Sequence, residues 1–84
     1  MLEKLLKDLG LREQEARIYQ LLLEDGPMLA GHMSKRLGVP RASLYGFLDR
    51  LLVGGFISQA VTSSGVKTFD AEPMDKLLFI LDQR

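Results

Sequence analysis

Lys35, Arg36, Arg41, Arg50 and Lys67 place five cations within residues 27–67, where Asp49 is the only acid. That stretch carries a local charge of +4, while residues 1–26 and 68–84 carry −2 each and the 84-residue chain is neutral overall. A polyanion responds to the local field, so a neutral total does not argue against one. A guanidinium can take a guanine edge bidentately or clamp a phosphate, and a lysine serves as a point charge for phosphate. Ser43 can reach either kind of acceptor. Other chemistry is thin. The chain has no cysteine, which removes disulfides, thiolate zinc sites and cysteine nucleophiles. His32 is the one histidine, read as a surface or capping residue rather than a metal ligand. No nucleophile–base pair, carboxylate dyad or phosphate-cradling glycine loop stands out, so neither catalysis nor a cofactor nor a metal is expected.

The elements that must position those cations follow from periodicity. Leu2, Leu5, Leu6 and Leu9 have helical spacing and stop at Gly10. A second helix is expected over about residues 13–24, with Ala16, Tyr19, Leu22 and Leu23 on one face and Glu13 and Glu15 suiting its positive end. Asp25-Gly26-Pro27 breaks the chain. A short third helix over 30–37 turns Ala30, Met33 and Leu37 one way and leaves Lys35 and Arg36 exposed. Gly38-Val39-Pro40 makes a tight connection. The fourth helix starts at Arg41 and ends at Gly54-Gly55, with an apolar stripe of Leu44, Phe47, Leu48 and Leu51. Two strands, 56–61 and 66–71, flank the loop Thr62-Ser63-Ser64-Gly65. Pro73 is expected in the first turn of a last helix over about 73–83.

This order predicts one domain over 1–84, mostly α with a small β-hairpin wing: a winged helix-turn-helix. Its helix-turn-helix is expected over about 29–54 and its wing over about 56–71. In that plan the helix after the turn (about 41–52) enters the major groove of duplex DNA and the preceding helix straddles the backbone. Arg41, Ala42, Ser43, Gly46 and Arg50 are expected outward together. Lys35, Arg36 and Lys67 suit phosphates, with the 62–67 wing on flanking backbone. Tyr45 reads either as a half-buried core tyrosine or as a DNA contact. Gly46 costs its helix about 1 kcal/mol, explained either by close approach of a nucleic acid or by packing against a neighbouring helix.

The run Leu9-Gly10-Leu11-Arg12-Glu13-Gln14-Glu15-Ala16-Arg17-Ile18-Tyr19 resembles the "LGLSEYEARVY" opening of TrmB-like transcriptional regulators. Leu37-Gly38-Val39-Pro40-Arg41-Ala42-Ser43-Leu44-Tyr45 is similar to their "SGVPRSKVY" turn and recognition helix. Gly55-Phe56-Ile57 and Phe69-Asp70-Ala71-Glu72-Pro73 resemble their strand start ("KGLV") and the segment "YRAVPPEE". The resemblance covers essentially the whole chain and implies a prokaryotic DNA-binding regulator, usually dimeric. Three departures stand out. Leu29 replaces the Ser or Thr ahead of the third helix, weakening that cap. Ser43 runs straight into Leu44, without the polar or basic residue often found there. Longer members carry a C-terminal effector-binding domain for which these residues leave no room, so no small-molecule effector is carried over.

Leu77 to Leu81 is five apolar residues in a row, wider than the stripe one helix needs to cover a core. A second copy covering it, through Leu77, Leu78, Ile80 and Leu81, is the expected homodimer. No stretch approaches a membrane span and the N-terminus lacks a signal-peptide layout, so a cytoplasmic protein is the default. The alternative to DNA binding is a winged helix serving as a protein-interaction or assembly module.

Overall fold

The computed structural model describes residues 2–83, apart from the side chain of Leu81. Five helices and one hairpin follow in order: α1 (Leu2–Asp8), α2 (Glu13–Asp25), α3 (Ala30–Leu37), α4 (Arg41–Val53), β1 (Ile57–Val61), β2 (Lys67–Ala71) and α5 (Met74–Asp82). This is the mostly helical winged helix-turn-helix read from the sequence. The largest buried side chains, among them Leu6, Tyr19, Ile18, Leu22, Met33, Leu44, Leu48 and Leu77, come from all five helices and form one core. Such contiguous burial of apolar surface is what drives a chain this short to fold.

The turn between α3 and α4 shows how the sequence dictates the motif. Gly38 takes the left-handed conformation (φ 68°) that ends α3, and the N–H groups of Gly38 and Val39 both donate to the Ser34 carbonyl. The Ser34 hydroxyl donates to the Val39 carbonyl, closing the turn from the other side. Pro40 then precedes α4, and its carbonyl accepts the Leu44 N–H. Leu29, at the N-cap of α3, supplies no side-chain acceptor, in keeping with its apolar nature.

β1 and β2 pair antiparallel, with Ile57 opposite Ala71 and Val61 opposite Lys67. The strands are each one residue shorter at the start than expected. The Phe56 N–H is taken by the Leu51 carbonyl at the close of α4, and Val66 belongs to the loop, its carbonyl accepting from Thr62. Met28 adds a bridge that no sequence pattern announced: Met28 and Phe69 exchange both backbone hydrogen bonds at 2.9 Å. One residue cannot display an alternating period, which is why the pattern was silent. The bridge clips the segment before α3 to the wing and thereby fixes the start of α3 beside β2.

The last helix differs in two details. It begins at Met74, one residue later than expected; Pro73 flanks it and its carbonyl accepts from Lys76 and Leu77. Leu77 is completely buried within the chain, so its expected place on a partner surface is corrected: it is a core residue. Leu78 and Phe79 are 51% and 63% exposed, and Ile80 is half-buried. The Leu81 side chain lies outside the described residues. Tyr19 holds this end of the molecule to α2, its hydroxyl donating to the Glu72 carbonyl at 2.6 Å. Burial and, after it, the Glu72 carboxylate push the Tyr19 phenol above its ordinary pKa.

Candidate nucleic-acid interface

Each residue of α4 advances about 100° around its axis. Leu44, Leu48 and Leu51 occupy the inward side and are buried. Ala42, Gly46, Asp49 and Val53 follow one another along the opposite ridge, all exposed. Between these sides run two flanks. Arg41 and Tyr45 look toward the wing. Arg50 looks toward α2, and exposed Ser43 lies on the same side of the helix axis by helical geometry. Arg41 and Arg50 are nine residues apart, which sets them on opposite sides of the helix, about 180° apart. The single outward face expected to hold both arginines is therefore divided.

On the wing flank a groove of about 610 Å³ opens between the start of α3, the start of α4 and the hairpin loop. Ala30, His32, Arg41, Tyr45, Val66 and Lys67 are among its walls. A second opening continues from it past Ser34 and Lys35, sharing His32 and Arg41. No Asp or Glu lines either opening among the described residues. The Arg41 Nη2 donates to the Tyr45 hydroxyl one turn along α4 at 3.3 Å, which braces the guanidinium against the groove wall. Tyr45 is 44% exposed and lies on the groove wall, outside the buried core cluster. Arg41, Tyr45 and Lys67 are thus brought together in the groove, and Lys35 stands in the adjoining opening that shares Arg41. His32 joins them unanticipated: its neighbours depend on how α3 crosses α4, which no spacing along the chain encodes.

Two expected members are held elsewhere. Arg36 pairs with Asp25 at the end of α2, Nη1 to Oδ2 at 2.7 Å. Arg50 lies with its Nε 2.6 Å from Oε2 of Glu15. Glu15 is 2% exposed, a buried carboxylate on α2. Its other oxygen accepts the Arg12 N–H at 2.9 Å, the returning half of a capping box. The sequence hinted at Glu15 only through its place three residues into the helix start. Gly46 is settled differently: a side chain there would meet nothing within 4 Å, so no neighbouring helix packs on it and the packing explanation falls.

Residues 6–74 match the family described as the sugar-specific transcriptional regulator TrmB. The chain belongs to the TrmB family. A curated relative, the uncharacterized protein YrhO of Bacillus subtilis, is 35% identical over 60 residues, 69% of this chain and 22% of its own length. Among solved structures, the TrmB-family fold described above is shared with the transcriptional regulator Tm0710 of Thermotoga maritima (TM-score 0.78, 21% identity, 96% of this chain and 59% of that one). It is shared also with a MarR-family regulator from Silicibacter pomeroyi (TM-score 0.73, 21% identity, 98% and 60%). The chain spans about a fifth of the curated relative and about three fifths of these structures. Family and neighbours are transcriptional regulators rather than enzymes. No helix among the described residues is long and apolar enough to cross a membrane.

Proposed function

We propose that this chain is a DNA-binding domain of a transcriptional regulator, docking the first turns of α4 in the major groove with the 62–67 loop on the flanking backbone. The observation that carries the reading is the acid-free groove between α4 and the wing, lined by Arg41 and Lys67, with Lys35 in the adjoining acid-free opening that shares Arg41. Arg41, released from Tyr45, has the reach and the fork geometry for a guanine edge or a phosphate. Lys35 and Lys67 supply phosphate contacts, which add affinity without sequence information. The open ridge of Ala42 and Gly46 lets the helix come close to base edges, which gives the helix-weakening glycine a use.

One copy offers few contacts. Exposed Leu78 and Phe79 on α5 support pairing of two copies, which would present two recognition helices to half-sites about one turn, roughly 34 Å, apart. The linkage of two weak sites then raises affinity without new contacts.

The test is a titration of mixed-sequence duplex DNA as salt rises, with parallel sedimentation equilibrium. A steep fall of affinity with salt is expected. Lys35→Ala and Lys67→Ala should each flatten the slope by about 1. No binding at low salt would overturn the reading in favour of a protein-interaction module, for which Asp49 and the highly exposed Val53 on the outer ridge are the favouring features. A monomer mass at all concentrations would remove the dimer while leaving DNA binding standing.

A further inference from the structure

We infer that the Glu15–Arg50 pair is a positioning device for the recognition helix, setting the angle at which α4 presents Arg41. The inference rests on the DNA-binding reading above. Its starting point is an anomaly: a glutamate at the third position of an exposed-type helix start, yet 2% exposed. A lone buried carboxylate is costly, and this one is kept. Oε1 is taken by the Arg12 N–H at 2.9 Å. Oε2 has no hydrogen bond of good alignment and faces Arg50 Nε at 2.6 Å. The carboxylate is therefore fixed to the backbone of α2 by one oxygen and holds α4 by the other.

The rest of the α2–α4 contact gives no such direction. The inward side of α4 is Leu44, Leu48 and Leu51, and apolar burial is non-directional. Three leucines determine which side faces the core but tolerate small rotations of the helix about its axis. A charge pair on one flank does not. Arg50 is anchored on the α2 flank while Arg41 stands on the opposite flank, so a rotation that loosens one moves the other. The pair works on the DNA-facing residues at a distance, touching none of them.

The experiment compares the parent with Glu15→Gln, Arg50→Gln, the double variant and Arg50→Lys. Dissociation constants are measured for a duplex selected from a random library and for mixed-sequence duplex, below every variant's unfolding temperature. Each single Gln variant should lose roughly 10-fold of the ratio between selected and mixed-sequence affinity. The double variant should lose no more than either single one, because the device is already broken. Arg50→Lys should recover only part, since the flexible amine keeps the charge without the planar, rigid guanidinium. A parent-like ratio in the folded single variants, with only the unfolding temperature lowered, overturns the inference and makes the pair merely structural. A tighter grip on mixed-sequence DNA in Glu15→Gln, with a salt slope reduced by about 1 in Arg50→Gln, overturns it too and makes Arg50 a direct contact. Failure of the parent to bind any duplex overturns the DNA reading and this inference together.

Discussion

Arg41 and Arg50 stand on the same helix, both exposed, and lead opposite lives. Arg41 faces a groove without acids and touches a neutral tyrosine hydroxyl, which a stronger acceptor can replace. Arg50 faces a carboxylate that is shut off from water and has no other charge partner at that oxygen. A charge-assisted contact to a buried group is far harder to exchange than a long neutral one at the surface. Both are exposed arginines, so the neighbour decides which one is available to a ligand. The two flanks of α4 divide the labour: one side is held, the other is offered.

The most forceful way to break this division is to loosen the side common to both. Leu48→Ala removes a fully buried side chain beneath α4 and should cost about 3 kcal/mol, read as a lower denaturant midpoint at unchanged slope. Both flanks should then fail together. Next come the arginines themselves. Arg50→Ala strands the Glu15 carboxylate and should cost about 2 kcal/mol of folding stability. Arg41→Ala should leave stability within about 0.5 kcal/mol while weakening the selected duplex by about 1–3 kcal/mol and relaxing its base preference. Equal melting temperatures for the two alanine variants would erase the contrast. Smaller again is Tyr19→Phe, which loses the bond to the Glu72 carbonyl at a cost of about 1 kcal/mol. Because the folded protein raises the Tyr19 pKa above its ordinary 10.0, the phenol's contribution is complete below pH 10 and is lost as pH rises further. The phenylalanine variant should therefore show a shallower alkaline loss of stability in a series of melts from pH 8 to 11.

The same contrast separates what the sequence revealed from what it hid. Element order, the turn at Gly38 and the leucine stripe of α4 are all local patterns, and each was legible. The groove was half legible: local charge singled out Lys35, Arg41 and Lys67, but only the crossing of α3 over α4 brings His32 beside them. The division of α4 was available in principle, since nine residues put Arg41 and Arg50 on opposite sides by helical geometry alone. Grouping residues as simply outward missed it. The partner of Arg50 was beyond reach, because Glu15 lies 35 positions earlier and its burial is a tertiary event. Leu77 illustrates the reverse error: five apolar residues in a row suggested one surface, whereas the fold keeps Leu77 for the core and leaves Leu78 and Phe79 outside.

Arg36 offers the finest test of the rule that the neighbour decides. Its guanidinium is 2.7 Å from Asp25, closer to a charge than Arg41 is, yet both partners are partly in water. Exposed pairs of this kind are worth about 0.2–1 kcal/mol and are screened by salt, so burial of the acid, rather than the presence of one, should separate Arg36 from Arg50. Arg36→Ala and Asp25→Ala should each change stability by no more than about 0.5 kcal/mol, with the difference fading in high salt. Asp25→Ala also frees Arg36 at the end of α3, next to the turn that leads into α4. Its effect on DNA affinity at low salt should be a modest gain, well under the loss caused by Arg41→Ala. A stability loss from Asp25→Ala as large as that from Arg50→Ala would show that pairing alone holds an arginine in this domain, and that the seclusion of Glu15 from water adds nothing.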